Sequence, residues 1–218
     1  MSKKGFIFDL DGVIVDTAKY HFLAWRKLAN SLDIDFSETQ NEQLKGVSRV
    51  RSLEKILSWG DITISEDKFM ELMAKKNDDY LTHINTMDEN EILADVPKVL
   101  EHLKEQKQPI ALGSASKNAR TILKKVGLYK SFDTIVDGND VSKAKPDPEV
   151  FLIAAKQLNT NPEDCIVFED SVAGIQAANT ANMISIGIGE ESILGEADYV
   201  FKDFTQISSE FITELITN

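Results

Sequence analysis

The segment that most constrains this chain is Phe6-Ile7-Phe8 running into Asp9-Leu10-Asp11-Gly12-Val13. Consecutive large apolar residues suit a strand buried on both faces, as in a parallel sheet sandwiched by helices. Such a strand ends here by delivering two carboxylates one residue apart. Alternate side chains of an extended chain share a face, so Asp9 and Asp11 point the same way if the extension persists, and Gly12 permits a sharp turn. Like charges this close repel unless a cation sits between them or one acid keeps its proton. Two chemistries meet that condition: a divalent metal site, and a nucleophile beside a proton carrier. Asp-x-Asp-Gly by itself also suits a plain turn whose acids cap or solvate the loop.

The 218 residues can bury a full core, as one large domain or a main domain with a smaller insertion. A net charge of -12 disfavours nucleic acid and anionic membrane as partners of the surface as a whole, so a phosphate ligand would need a local basic pocket. Cys165 opens the apolar run Cys165-Ile166-Val167-Phe168 and reads as a buried small hydrophobe. The apolar run after Lys3 and Lys4 is broken by Asp9, which fits neither a signal peptide nor a membrane span. A cytoplasmic, monomeric enzyme is the expectation.

Short apolar runs at 6–8, 110–112, 134–136, 166–168, 185–188 and 199–201 read as buried parallel strands. Between them, Ile92, Val96, Val99, Leu100 and Leu103 share one helix face, as do Val150, Phe151, Ala154, Ala155 and Leu158, with Asp147 as cap and Pro148 in the first turn. This alternation implies a doubly wound α/β sheet, mainly parallel and Rossmann-like. The stretch from Thr17 to Asn90 differs. Its stripes are helical throughout: Tyr20, Ala24, Leu28 and Leu32, then Leu53, Ile56 and Leu57, then Phe69, Leu72, Met73, Tyr80 and Ile84. The expected organisation is an α/β core of residues 1–16 plus 92–218 with an all-helical cap of 17–91, hinged near 15–17 and 90–95. Ligands of open α/β sheets bind beyond the carboxyl ends of the strands, where such an insertion would act as a lid.

Three further segments end strands with polar groups. Ile110-Ala111-Leu112-Gly113-Ser114-Ala115-Ser116 offers a hydroxyl and backbone N–H groups before a helix, suited to an anion or to a capped turn. Lys145-Pro146-Asp147-Pro148 places a cation before another helix, and Val167-Phe168-Glu169-Asp170-Ser171 ends a strand with a second acid pair. Four such ends in this order are hard to explain as independent caps.

In that order the chain resembles the haloacid dehalogenase (HAD) superfamily of aspartyl-phosphate phosphotransferases. Within it, Asp9-Leu10-Asp11-Gly12-Val13, Thr17 to Trp25, Lys45-Gly46-Val47-Ser48-Arg49 and Ser114-Ala115-Ser116-Lys117-Asn118 are similar to the β-phosphoglucomutase family, which interconverts β-glucose 1-phosphate and glucose 6-phosphate. The resemblance implies Asp9 as nucleophile, Asp11 as general acid/base, and one Mg2+ held by Asp9, the Asp11 carbonyl and Asp170, with Glu169 as a further ligand or close neighbour. It implies Ser114, the Ala115 N–H and Lys145 on the transferring phosphoryl group, and His21 coupling cap closure to Asp11. Lys45, Gly46, Arg49, Ser52, Lys76, Ser116 and Asn118 would grip the distal phosphate and sugar hydroxyls, with β-glucose 1,6-bisphosphate as primer and intermediate. Thr17, His21 and Trp25, four apart, can share one helix face toward the cleft, although Trp25 equally suits a core. Gly113 departs from the alanine of the mutase motif, and Lys143-Ala144-Lys145-Pro146-Asp147-Pro148 is equally similar to sugar-phosphate phosphatases, with Lys143 a rival to Lys145. A HAD-type phosphatase is the alternative reading, and a non-catalytic sugar-phosphate-binding protein the third.

Overall fold

The computed structural model describes residues 3–217. After β1 (Gly5–Phe8) come four helices, α1 (Ala18–Asn30), α2 (Glu38–Glu42), α3 (Arg49–Trp59) and α4 (Glu66–Ile84). Helix and strand then alternate: α5 (Val96–Glu105), β2 (Ile110–Gly113), α6 (Ala119–Lys125), β3 (Thr134–Val136), α7 (Glu149–Gln157) and β4 (Cys165–Glu169). The chain finishes with α8 (Val172–Thr180), β5 (Ile184–Ile188), α9 (Glu191–Leu194), β6 (Tyr199–Phe201) and α10 (Ser209–Thr217). All pairings are parallel, in the order β3-β2-β1-β4-β5-β6, so the direction of winding reverses between β1 and β4. Every apolar run read as a strand is one; burial on both faces leaves little room for polar residues in β1, β2, β4 and β5, while the edge strands β3 and β6 are only partly buried.

Alternation sends Phe6 and Phe8 to one face of the sheet and Ile7 to the other, each into its own apolar cluster. Phe8 lies in register with Phe168 of β4, which brings their rings parallel at 4.5 Å. That stack anchors the two central strands where both deliver acids, and each fully buried ring contributes roughly 2–3 kcal/mol. The helices of 18–84 close a third cluster around Trp25, Leu28, Leu53, Ile56 and Leu72.

The two segments joining these helices to the sheet run side by side. Val15 bridges Ile92, Leu93 N donates to Ile14 O (3.0 Å) and Asp16 N donates to Glu91 O (3.0 Å). The Glu91 carboxylate also accepts from Lys19 Nζ (2.8 Å) and Tyr20 Oη (2.6 Å). This pairing holds Ile92 extended, outside the helix whose stripe it was expected to share; α5 starts at Val96, after Asp95 at φ 62°. Leu32 and Leu158 likewise lie just past their helices, and Pro148 rather than Asp147 occupies the cap position of α7, with Asp147 Oδ1 accepting from Glu149 N (3.1 Å).

Candidate active site

β1 stops at Phe8, one residue before the acids. Asp9 N still bonds Phe168 O (2.9 Å), fixing Asp9 at the switch between β1 and β4, and the chain then folds over as the N–H groups of Ile14 and Val15 return to Leu10 O. Asp9 and Asp11 therefore meet through this turn, not through continued extension: Asp11 N donates to Asp9 Oδ2 (3.0 Å). Gly12 is required here twice over. Its φ is 80°, and a Cβ would fall 2.2 Å from Asp170 Oδ2.

Lys145 separates itself from its rival by burial. Its ammonium, 1% exposed, donates to Asp9 Oδ1 (2.5 Å), Glu169 Oε1 (2.5 Å) and Gly113 O (3.1 Å) and lies over the Phe151 ring. Burial works against its charge, but Asp9 and Glu169 overcome burial and raise its pKa above the ordinary lysine range. Lys143 is 68% exposed and pairs with Asp147 (3.2 Å). Gly113 backs this arrangement closely, since a Cβ there would sit 3.0 Å from Ile7 and Phe151 side-chain carbons.

Asp11 is held from the helical side. Thr17 is fully buried, caps the start of α1 and donates through Oγ1 to Asp11 Oδ1, so it supports the acid and does not line the cleft. His21 Nε2 faces the same Oδ1 at 3.8 Å, while His21 Nδ1 lies 3.0 Å from Lys76 Nζ. Burial raises the Asp11 pKa, only partly offset by the Thr17 hydrogen bond and Lys76, which favours a carboxyl that holds a transferable proton. Burial, then Lys76 and Arg49, push His21 well below the usual imidazole range. Trp25 packs in the helical core and also turns its ring toward Lys76.

The remaining candidates converge on one cleft of about 660 Å³ between the helices and the strand ends. On the sheet side, Ser116 N donates to Ser114 Oγ (3.1 Å) and Asn118 N to Ser116 Oγ (3.3 Å). α6 starts only at Ala119, so Ser114 and Ala115 present a loop, not a helix terminus. On the helical side, Arg49 opens α3, Ser52 uses its hydroxyl on Ser48 O (3.0 Å), and Lys45 reaches Glu42 (3.0 Å) and Asp170 (3.8 Å). Residues to which the sequence assigned no role tie this loop down. Asn77 Oδ1 accepts from Asn118 Nδ2 (3.1 Å) across the cleft, and Arg120 pairs with Asp137 and Asp140 beneath Gly138, whose N–H bonds Ser116 O (3.3 Å). Asn77 directly follows Lys76, a signal available in the sequence; Arg120 and Asp137 carried none.

Four carboxylates, Asp9, Asp11, Glu169 and Asp170, crowd together at the strand ends, and the buried Lys145 ammonium pairs with two of them, Asp9 and Glu169. Burial, reinforced by Glu169 and Asp11 and resisted by Lys145, pushes Asp9 up to about 7, and burial with Glu169 and Asp9 drives Asp170 well above the carboxylate range. Such an excess of oxygen donors suits a hard divalent cation. Both Glu169 oxygens are already engaged, by Lys145 and by Ser171, which makes Glu169 a neighbour in this arrangement. Among the described residues no three acidic, His or Cys side chains close around one point. Mg2+ needs no such cage, because it keeps several waters and takes one or two carboxylates plus substrate phosphate.

Residues 3–182 match the family model described as haloacid dehalogenase-like hydrolase. The chain belongs to the haloacid dehalogenase-like family. Within it, the chain is 41% identical to β-phosphoglucomutase of Bacillus subtilis (strain 168) over 97% of its length and 94% of that protein. The crystal structure of β-phosphoglucomutase from Clostridium difficile superposes with a TM-score of 0.95 at 43% identity, covering 99% of this chain and 98% of that one. A phosphorylated carbohydrates phosphatase of Thermotoga maritima is 31% identical over 81% of each chain. In this HAD-like fold β1, the strand that leads into Asp9, lies at the centre of the sheet, between β2 and β4.

Proposed function

We propose that this chain is a Mg2+-dependent β-phosphoglucomutase, an isomerase that interconverts β-glucose 1-phosphate and glucose 6-phosphate through β-glucose 1,6-bisphosphate. The observation that carries this reading is the pairing of Asp9, gripped by Lys145 at 2.5 Å, with an Asp11 that burial disposes to hold a proton. Similarity along essentially the whole chain to two β-phosphoglucomutases, at higher identity than to the phosphatase, supports the same choice.

An Asp9 oxygen attacks phosphorus and forms an aspartyl phosphate. The bond from phosphorus to the sugar oxygen breaks, and that oxygen takes the Asp11 proton. In the return step Asp11 removes a proton from the other sugar hydroxyl, which attacks the aspartyl phosphate. Lys145, Ser114 and the Ala115 N–H neutralise the equatorial oxygens. Asp9, the Asp11 carbonyl and Asp170 would hold one Mg2+ per chain, which supplies positive charge against the transferring group and keeps Asp9 ionised. Arg49, Lys45 and Lys76 on the helical side, with Ser116 and Asn118 opposite, would hold the distal phosphate and sugar. Residues 17–91 serve as a cap over a core of 1–16 and 92–218 and exclude water while the bisphosphate turns over. No helix among the described residues is long and apolar enough to cross a membrane, and a cytoplasmic monomer acting on a small sugar phosphate fits this role.

The test is to incubate the protein with Mg2+, β-glucose 1-phosphate and a trace of bisphosphate while following both products. Glucose 6-phosphate formation dependent on the primer supports the mutase; stoichiometric phosphate release points to a phosphatase. Asp9→Asn should abolish turnover and acid-stable labelling of the protein from a radiolabelled donor.

A further inference from the structure

Ser171 connects two halves of the cleft that the chemistry above treats separately. It follows the acid pair of β4 and caps α8, accepting from Gly174 N (3.1 Å). Its backbone N–H and its hydroxyl both donate to Glu169 Oε2, each at 2.8 Å. Two donors on one oxygen fix the carboxylate so that the other oxygen meets Lys145 at 2.5 Å. The first turn of α8 is cleared for this carboxylate, since a Cβ on Gly174 would lie 1.9 Å from Glu169 Cδ.

The other side of Ser171 faces the helical segment. Gly46 sits at φ 68°, and a Cβ on it would fall 2.4 Å from Ser171 Oγ and 3.1 Å from Ser171 Cβ. With Gly46 in that place Ser171 is only 3% exposed, while the neighbouring Lys45 reaches Asp170.

We infer that Ser171 is a positioning residue that registers the docking of the Gly46 loop and transmits it through Glu169 to Lys145 and Asp9. With the loop lifted, water reaches the Ser171 hydroxyl and competes for both its proton and the Glu169 oxygen. With the loop down, water is gone and Glu169 is the acceptor, so Lys145 is set beside Asp9 only while the cleft is covered. A nucleophile completed in this way favours transfer to sugar over transfer to water.

The inference rests on the aspartyl-phosphate reading for its kinetic arm and on geometry alone for its second arm. Ser171→Gly removes the hydroxyl yet keeps a residue tolerated at a helix cap, and thermal melting verifies its fold; Ser171→Ala serves in its place if that variant does not fold. Removing a hydrogen bond to a charged group should lower kcat about tenfold while KM for β-glucose 1-phosphate stays within about twofold. Gly46→Ala, which must weaken docking, should raise KM as well. In a double-mutant cycle Gly46→Ala should cost at least about threefold less in the Ser171→Gly background, because the left-handed backbone penalty is common to both and only the collision disappears. Amide exchange across residues 44–48, which needs no turnover, should quicken with Gly46→Ala in the wild-type background more than in the Ser171→Gly one. A kcat within twofold of wild type for the Ser171 variant, multiplicative effects in the cycle, or equal exchange in both backgrounds would overturn the inference. A wild-type protein inactive on sugar phosphates removes the mutase reading instead, and the exchange comparison still decides the contact.

Discussion

Lys76 Nζ lies 3.0 Å from His21 Nδ1, between the faces of Trp25 (4.7 Å) and Tyr80 (4.6 Å). A protonated Lys76 can only donate, so Nδ1 accepts and the ring proton rests on Nε2, the nitrogen that faces Asp11. The helical segment thereby reaches the Asp11 carboxyl through one imidazole. Lys76 has a cost, however: burial and then Arg49 lower its pKa to about 7.

Lys76→Met should therefore separate activity from stability. A base whose folded pKa lies below its unfolded value of 10.5 loses stability as the pH falls through that range, so at neutral pH Lys76 is a burden on the fold. The variant should melt higher, at roughly 2–4 °C for each kcal/mol relieved in a chain of this size. Its kcat should drop by about tenfold or more, as seen in steady-state assays beside a thermal melt.

Lys145→Ala and Lys143→Ala should behave oppositely. The first strands two buried carboxylates, which costs about 3 kcal/mol or more, and under the proposed mechanism removes the charge opposite the transferring oxygens. The second deletes an exposed pair worth at most about 1 kcal/mol. Turnover of Lys145→Ala should be lost by about a thousandfold while Lys143→Ala stays near wild type; equal losses would reject the assignment.

Mg2+ binding should strengthen with pH. Without metal, the folded pKa of Asp9 is near 7 against 3.8, so its protonated form supports the fold at low pH and that support disappears as the pH rises through about 7. A cation bound to the ionised carboxylate must displace a proton at pH 5.5 but not at pH 8. The affinity should rise by about tenfold or more between these values, and the Mg2+-induced increase in Tm should be larger at pH 8. Titration calorimetry and melting curves at both pH values check this.

Gly12→Ala should displace Asp170, because the new methyl would lie 2.2 Å from its Oδ2 on a backbone already at φ 80°. Mg2+ affinity should weaken by about tenfold or more, with the fold retained. An unchanged affinity would mean that Asp170 has no part in holding the ion.

The sheet was legible because strands buried on both faces leave unbroken apolar runs, and the polar groups at their ends stand out against them. The cleft was legible for the same reason wherever a motif abuts a strand. What escaped reading depends on partners far apart in the chain. Asn77 meets Asn118 and Arg120 meets Asp137 only after folding, and a periodic stripe cannot show that Ile92 is claimed by Val15 before a helix can include it. Lys143 and Lys145 are the same residue type two positions apart; the Pro146 that follows Lys145 favours it by resemblance, and burial separates the two.

The paired segments at Ile14–Asp16 and Glu91–Leu93 have a consequence for how this architecture diversifies. The helices between them depart and return through one hydrogen-bonded doorway, and their grip on the acids beyond β1 is confined to a few side chains, Thr17 and His21 on Asp11 and Lys45 on Asp170. A different helical block could be transplanted there, altering which molecules are admitted, provided that it supplied those few contacts again.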